Sequence, residues 1–322
     1  MKTKDLIILT FPTGSHEKDE VRISGLYLFT KHVRKHLLKK DLPNEEVLKA
    51  SKTLEESSAE RAWLIEIASS EEIETVDKLV EGKHYKILQQ THAFVPDKFS
   101  PDTGIYIVAH NEWNVTQVFG YFHLSLDKRI PEKVSLDEKY ELASTRGATG
   151  VVRVIQGLGI NAIRKLCMAA CTMATPAYQK GFLISLVGQL AAVGLNPLVA
   201  GWDIPITVTE TGSKEAVGAY KGPLKDHRKK HKFIYKFTSS GPISFSTQPK
   251  ELDTKVKEHL HLFAKKNVEA KDEKHKTGFE KVVLNKKITE AEGKKGKTDY
   301  TLSFDYVERI RYSAVGWSSS II

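Results

Sequence analysis

The densest run of reactive side chains is Lys225-Asp226-His227-Arg228-Lys229-Lys230-His231-Lys232, which flows into Phe233-Ile234-Tyr235-Lys236-Phe237. Ammonium and guanidinium groups neutralise phosphates, and aromatic rings stack on bases. Cations interleaved with aromatics therefore suit single-stranded nucleic acid. Lys225, Arg228, Lys229, Lys230, Lys232 and Tyr235 are the candidate contacts. A second basic patch, Lys31 to Lys40, adds Arg34 and Lys35. Such cations contact phosphate without reading sequence. The same run also fits a nuclear-localisation signal or a footprint on anionic lipid.

Other reactive residues are less organised. The chain has two cysteines, Cys167 and Cys171. Four apart, they share one face if the segment is helical, and they read as reduced core thiols. His227 and His231 are four apart, and His259 and His261 two apart. A zinc site needs three or four ligands, and the cations around His227 and His231 oppose a divalent ion. No metal and no cofactor is expected. Gly147-Ala148-Thr149-Gly150 and Gly157-Leu158-Gly159 lack the Gly-Lys-Ser/Thr ending of a phosphate-cradling loop. The first is similar to the backbone clamp of KH domains, which implies RNA contact, but the βααβ text of that family does not surround it. There is no Gly-x-Ser-x-Gly elbow. Acidic pairs such as Asp137/Glu138 and Glu45/Glu46 read as solvated helix faces.

These residues need a frame. The longest stretch with few acids is Gly147 to Ile206, where none appears before Asp203. It is the expected main core. Ile160, Ile163, Cys167, Ala170, Cys171 and Ala174 fall on one helical face, and a second helix is expected from about Tyr178 to Val193. Upstream, the apolar runs Leu6–Leu9 and Val21–Thr30 read as strands, followed by a short helix over the Lys31–Lys40 patch. Two acidic helices are expected from Asn44 to Ile67 and from Ser70 to Val80. Tyr85–Gln89, Gly104–Ala109 and Val115–Leu126 are rich in β-branched and aromatic residues and predict a small antiparallel sheet. Ser135–Leu142 reads as a helix. Downstream, Ile206–Thr209, Phe233–Phe237 and the stretch from Tyr300 alternate as strands, Asp253–Lys266 is helical, and Asn267–Lys297 is a loop or hairpin with its tip at Gly293-Lys294-Lys295-Gly296.

The expected fold is therefore α+β: a mixed N-terminal half with a small antiparallel sheet, a central buried helical pair, and a basic C-terminal third with strands. The corresponding regions are 1–142, 143–210 and 211–322. Gly181 to Ala200 is the one stretch approaching the length of a membrane span, but Ser185, Gln189, Asn196 and Pro197 interrupt it, so no transmembrane segment is expected. The short run Leu6–Phe11 is not a signal peptide, and a cytoplasmic protein is expected.

At 322 residues the chain can bury a core without disulfide staples. Its net charge of +9 is polarised. Residues 1–220 carry 26 Lys/Arg against 27 Asp/Glu, and residues 221–322 carry 23 against 13. A cationic third with no catalytic signature points to a non-enzymatic structural protein. It would bind single-stranded nucleic acid in a sequence-independent way and assemble into homo-oligomers, as coat or nucleocapsid proteins do. One alternative is a matrix-like or scaffold protein on an anionic membrane or an acidic partner. The other is an enzyme whose site is assembled from distant residues.

Overall fold

The computed structural model describes residues 4–12, 20–41, 61–67, 85–90, 99–109, 136–170, 181–265, 280–291, 293 and 297–311. In chain order the strands are β1 (Asp5–Phe11), β2 (Arg61–Ile67), β3 (Tyr85–Gln90), β4 (Gly104–Ala109), β5 (Lys165–Ala169), β6 (Leu198–Trp202), β7 (Ile206–Val208), β8 (Lys214–Ala216), β9 (Gly222–Pro223), β10 (Lys232–Ser239), β11 (Ile243–Thr247), β12 (Glu280–Ala291) and β13 (Thr298–Arg311). The helices are α1 (Glu20–Asp41), α2 (Leu136–Gly157), α3 (Phe182–Ala192), α4 (Leu224–His231) and α5 (Leu252–Lys265).

The expected α+β arrangement is not what forms. A ten-stranded mixed sheet runs through the molecule, and a separate three-stranded sheet, β7-β8-β9, lies off it. The protein is mixed α/β. The large sheet takes strands from all three regions, 1–142, 143–210 and 211–322. Its centre is five parallel strands in the order β2-β1-β4-β5-β6. Antiparallel strands extend both sides: β3 on β2, and β10 on β6. Next comes the long strand β13, which pairs with β10 and β11 and with the edge strand β12.

Helices cover the parallel centre on both faces. On one face Ile7, Leu9, Ile65, Ile105, Ile107, Leu166, Met168 and Val199 meet Val151, Val152 and Ile155 of α2 and Phe182, Leu186 and Leu190 of α3. On the other, Leu6, Ile8, Leu64 and Val108 meet Val21, Leu28 and Phe29 of α1. Strands buried on both sides carry nearly unbroken apolar runs, so they lack the alternation that marks a half-exposed strand. This explains the misassigned elements. Val21–Thr30 is helix, because Val21, Gly25, Leu28, Phe29 and His32 all turn inward. Arg61–Ile67 is strand, not helix. Lys165–Ala169 is strand, so the expected helical face through Cys167 does not exist, and of the central pair α3 is the helix that forms. Val115–Leu126 and Ala174 lie outside the described residues.

Two contacts fix the centre. Asp5 is fully buried and accepts from Arg61 at 2.5 and 2.6 Å and from the Ser100 amide at 2.6 Å. Gly25 of α1 lies so close to β1 that an added Cβ would strike Thr10 Cγ2. Gly147 to Gly150 sits inside α2, so it is not a backbone clamp. Gly159, at φ 68°, ends the α2 region with the Ile160 amide reaching back to the Ile155 carbonyl. Among the described residues no helix is long and apolar enough to cross a membrane.

Candidate functional site

In the parallel centre the chain runs outward from β1 to β2 and then crosses back to β4 on the other side of β1. Ligands of open α/β sheets bind outside the carboxyl ends of the strands, near such a reversal. Here that edge is formed by Phe11 of β1, Ala109 of β4, Ala169 and Ala170 at the end of β5, and Trp202 of β6, all buried. β4 and β5 are in parallel register from Gly104↔Lys165 to Val108↔Ala169. The chain continues from Ala109 into His110 and from Ala170 into Cys171. His110 and Cys171 lie outside the described residues.

A second concentration of chemistry occupies one face of the same strands. Register places Ile8, Tyr106, Cys167, Ala200 and Ile234 in one row across the sheet. Above that row the small sheet and α4 bring cations inward. Lys214 of β8 donates to Cys167 Sγ at 3.4 Å, and its Nζ stands 4.1 Å from the centre of the Tyr106 ring. His32 of α1 lies beside the same ring, 5.4 Å between centroids. Lys31 of α1 donates to the Gly212 carbonyl at 3.2 Å, holding the β7–β8 turn against the helix. Gly212 has φ 69°, and its Cα faces the Tyr27 carbonyl and Lys31 Cβ, so a side chain there has no room.

The electrostatics are those of crowded cations. Burial pushes the Lys31 ammonium below its usual range, and Lys214 and Arg228 push the same way. Burial also lowers Lys165, which Arg164 and Lys214 reinforce and Cys167 opposes. Lys232 is 2% exposed. Burial lowers it to about 7; Lys214, Arg228 and Lys165 add to that, while Cys167 works against it. Its Nζ lies 5.5 Å from the Trp202 ring centre. Burial raises the Tyr106 hydroxyl above its ordinary value. Arg228 Nε is buried with no hydrogen-bond partner among the described residues.

The residues singled out in the sequence separate in space. Lys225, Lys229 and Lys230 are exposed on α4, and Arg228 is half-buried beneath them. Lys232 and Tyr235 point to opposite faces of β10, because side chains alternate along a strand. Lys232 joins the cation cluster, whereas Tyr235 is 3% exposed inside the main core with Phe233. Arg34 and Lys35 fall in α1, and their side chains are outside those described. His227 and His231 do meet, with ring centroids 6.0 Å apart beside Tyr220, and His231 Nδ1 is 2.9 Å from Asp203 Oδ1. Burial raises the Asp203 carboxyl, and the His231 contact pulls it back down in part. Among the described residues no group of three or more His, Cys, Asp or Glu side chains is placed to hold a metal ion.

Sequence reasoning missed Lys165, Lys214 and Tyr106, which converge with Lys31, the first residue of the Lys31–Lys40 patch, through β4, β5, β8 and α1. It also missed the pairing of β4 with β5. One signal was available in the sequence: the apolar pairs Val108-Ala109 and Ala169-Ala170 are each followed by a reactive residue, His110 and Cys171. No protein-family model matches the sequence, and a search of curated proteins found no relative.

Proposed function

We propose that the protein is a cysteine-dependent hydrolase of acyl bonds, such as peptide bonds, with Cys171 as nucleophile and His110 as its base. The observation that carries this is the β4–β5 register. Its last pair is Val108↔Ala169. Two residues further along the sequence from these partners stand His110 and Cys171. Neighbouring strands lie roughly 5 Å apart, so the paired strand ends that lead into these two residues are close together. A cysteine with a histidine distant in sequence but adjacent in space is the ordinary arrangement of a thiol nucleophile.

The chemistry follows from those two groups. His110 takes the Cys171 proton, and the thiolate attacks the acyl carbon. The C–N bond breaks as His110 returns the proton to the leaving amine. Water, deprotonated by His110, then attacks the thioester and regenerates the thiol. Cys167 is a poor rival, because it is 3% exposed beneath Lys214.

Brief exposure to iodoacetamide, followed by peptide mapping, tests this assignment. Cys171 is expected to alkylate at least about tenfold faster than Cys167 and to slow in His110→Ala. Equal rates at both thiols, or no effect of His110→Ala, would refute it.

A second reading retains the nucleic-acid role expected from the sequence. It is favoured by the exposed Lys225, Lys229 and Lys230 on α4. It requires binding that weakens steeply with salt and falls further in a triple Lys→Gln variant of those residues. Light scattering of the purified protein with and without oligonucleotide tests the associated self-assembly.

A further inference from the structure

The cation cluster plays no part in acyl hydrolysis, and its construction asks for a ligand. Cations arrive there from separate elements: Lys31 from α1, Lys214 from β8, Arg228 from α4 and Lys232 from β10. Gathering like charges in a half-buried place opposes folding, and a low local dielectric increases that opposition. The cluster is nonetheless tightly built. The turn that presents Lys214 is fastened to α1 through the Lys31–Gly212 hydrogen bond and the close approach of Gly212 to Tyr27. Lys214 is fixed by Cys167 and Tyr106 below it. Arg228 is half-buried on α4, so part of its side chain stays open while its Nε is buried with no hydrogen-bond partner among the described residues.

We infer that a small polyphosphorylated anion seats on this face of the sheet, held by Lys31, Lys214 and Arg228 over Tyr106 and Cys167. One carboxylate brings a single charge and two oxygens, too few for several converging cations. Phosphate groups in series bring several charges and enough oxygens to satisfy ammonium and guanidinium donors together. The half-buried position behind α4 favours a compact ligand over a polymer spread across a surface. The inference does not depend on the hydrolase reading, since it uses no residue of the proposed catalytic pair.

Isothermal titration of the full chain with sodium tripolyphosphate at low ionic strength is the test. Binding is expected, and tighter than for inorganic phosphate. Arg228→Gln is expected to weaken it by about 10- to 100-fold, the range of a charge-assisted hydrogen bond. Lys31→Gln is a second variant that acts from a different element, and circular dichroism checks that both remain folded. Lys229→Gln, on the exposed side of α4, is expected to change affinity by less than about threefold. The inference is overturned if tripolyphosphate does not bind. It is equally overturned if Lys229→Gln costs as much as Arg228→Gln, because the attraction would then be a diffuse surface effect.

Discussion

The two halves of the large sheet solve different problems. In the parallel half, β2-β1-β4-β5-β6, both faces are covered and every residue of β1 is buried. In the antiparallel half, β10 to β13, burial along β13 alternates, with Tyr300, Leu302, Phe304 and Tyr306 packed against Val256 of α5 and their neighbours partly exposed. The parallel half has no solvent face, so polar groups inside it must be paired or must serve a ligand. The antiparallel half keeps charges such as Lys236, Lys286 and Lys287 in water, Lys232 and Arg309 being buried exceptions. The reactive groups accordingly collect on and beside the parallel strands, while Lys257 on α5 and Lys286 and Lys287 on β12 stand exposed.

Substitutions can break or sharpen that contrast. The largest effect is expected at the carboxyl edge, where Cys171→Ala should lower hydrolysis by about a thousandfold or more and Cys167→Ala should leave it within about tenfold. A peptide-library cleavage assay reads both. Equal losses would show that the edge holds no special chemistry.

Next is Lys232. Below about pH 7 it is charged in the folded and unfolded chain alike, and the cost of burying it is fully present. Between about 7 and the free-lysine value of 10.5, the unfolded chain holds a proton that the native one lacks, so stability rises with pH. The span amounts to on the order of 5 kcal/mol. Lys232→Met should raise the melting temperature at pH 6 and flatten the rise, as followed by calorimetry. A wild-type curve that falls across this window would contradict the burial cost.

Asp5→Ala leaves Arg61 facing an emptied site and should cost about 3–5 kcal/mol in urea unfolding. Gly25→Ala forces α1 away from Thr10 and should cost about 1–3 kcal/mol by the same measurement. On the antiparallel side, Lys286→Gln and Lys287→Gln, both exposed on β12, should stay within about 0.5 kcal/mol. If they cost as much as Gly25→Ala, the division between the halves would not hold.

The sequence made much of the antiparallel half legible, though not β11. Phe233–Phe237, the alternating run from Tyr300 and the helix expected over Asp253–Lys266 were visible because alternation and amphipathic spacing survive where one face meets water. Leu6–Leu9 and Gly104–Ala109 were visible as apolar runs between turn residues. The apolar helix expected from Tyr178 to Val193 was visible too, as α3, but α1, β2 and β5 were not. Val21, Ile23, Tyr27 and Phe29 have strand-like side chains, yet packing over Thr10 makes them a helix. Ile160, Ile163 and Cys167 fall by chance at helical intervals across a turn and a strand. The candidate sites were hidden for a different reason. Tyr106, Cys167 and Lys214 meet only because β4 lies beside β5 and β8 folds back over both, and linear spacing does not encode such pairing. The interleaving of Lys232 with Tyr235 looked like one surface, but strand geometry divides it between a cation cluster and an oily core.

β12 forms the outer rim of the sheet, with one side bonded to β13 and, among the described residues, no strand on the other. An unpaired rim of that length is a template for joining copies of the chain into fibrils, and lysine is the usual deterrent. Lys281, Lys286 and Lys287 stand along it. Part of the positive surplus in the last third of the chain thus acts as a repellent that keeps a long ribbon from recruiting its own kind.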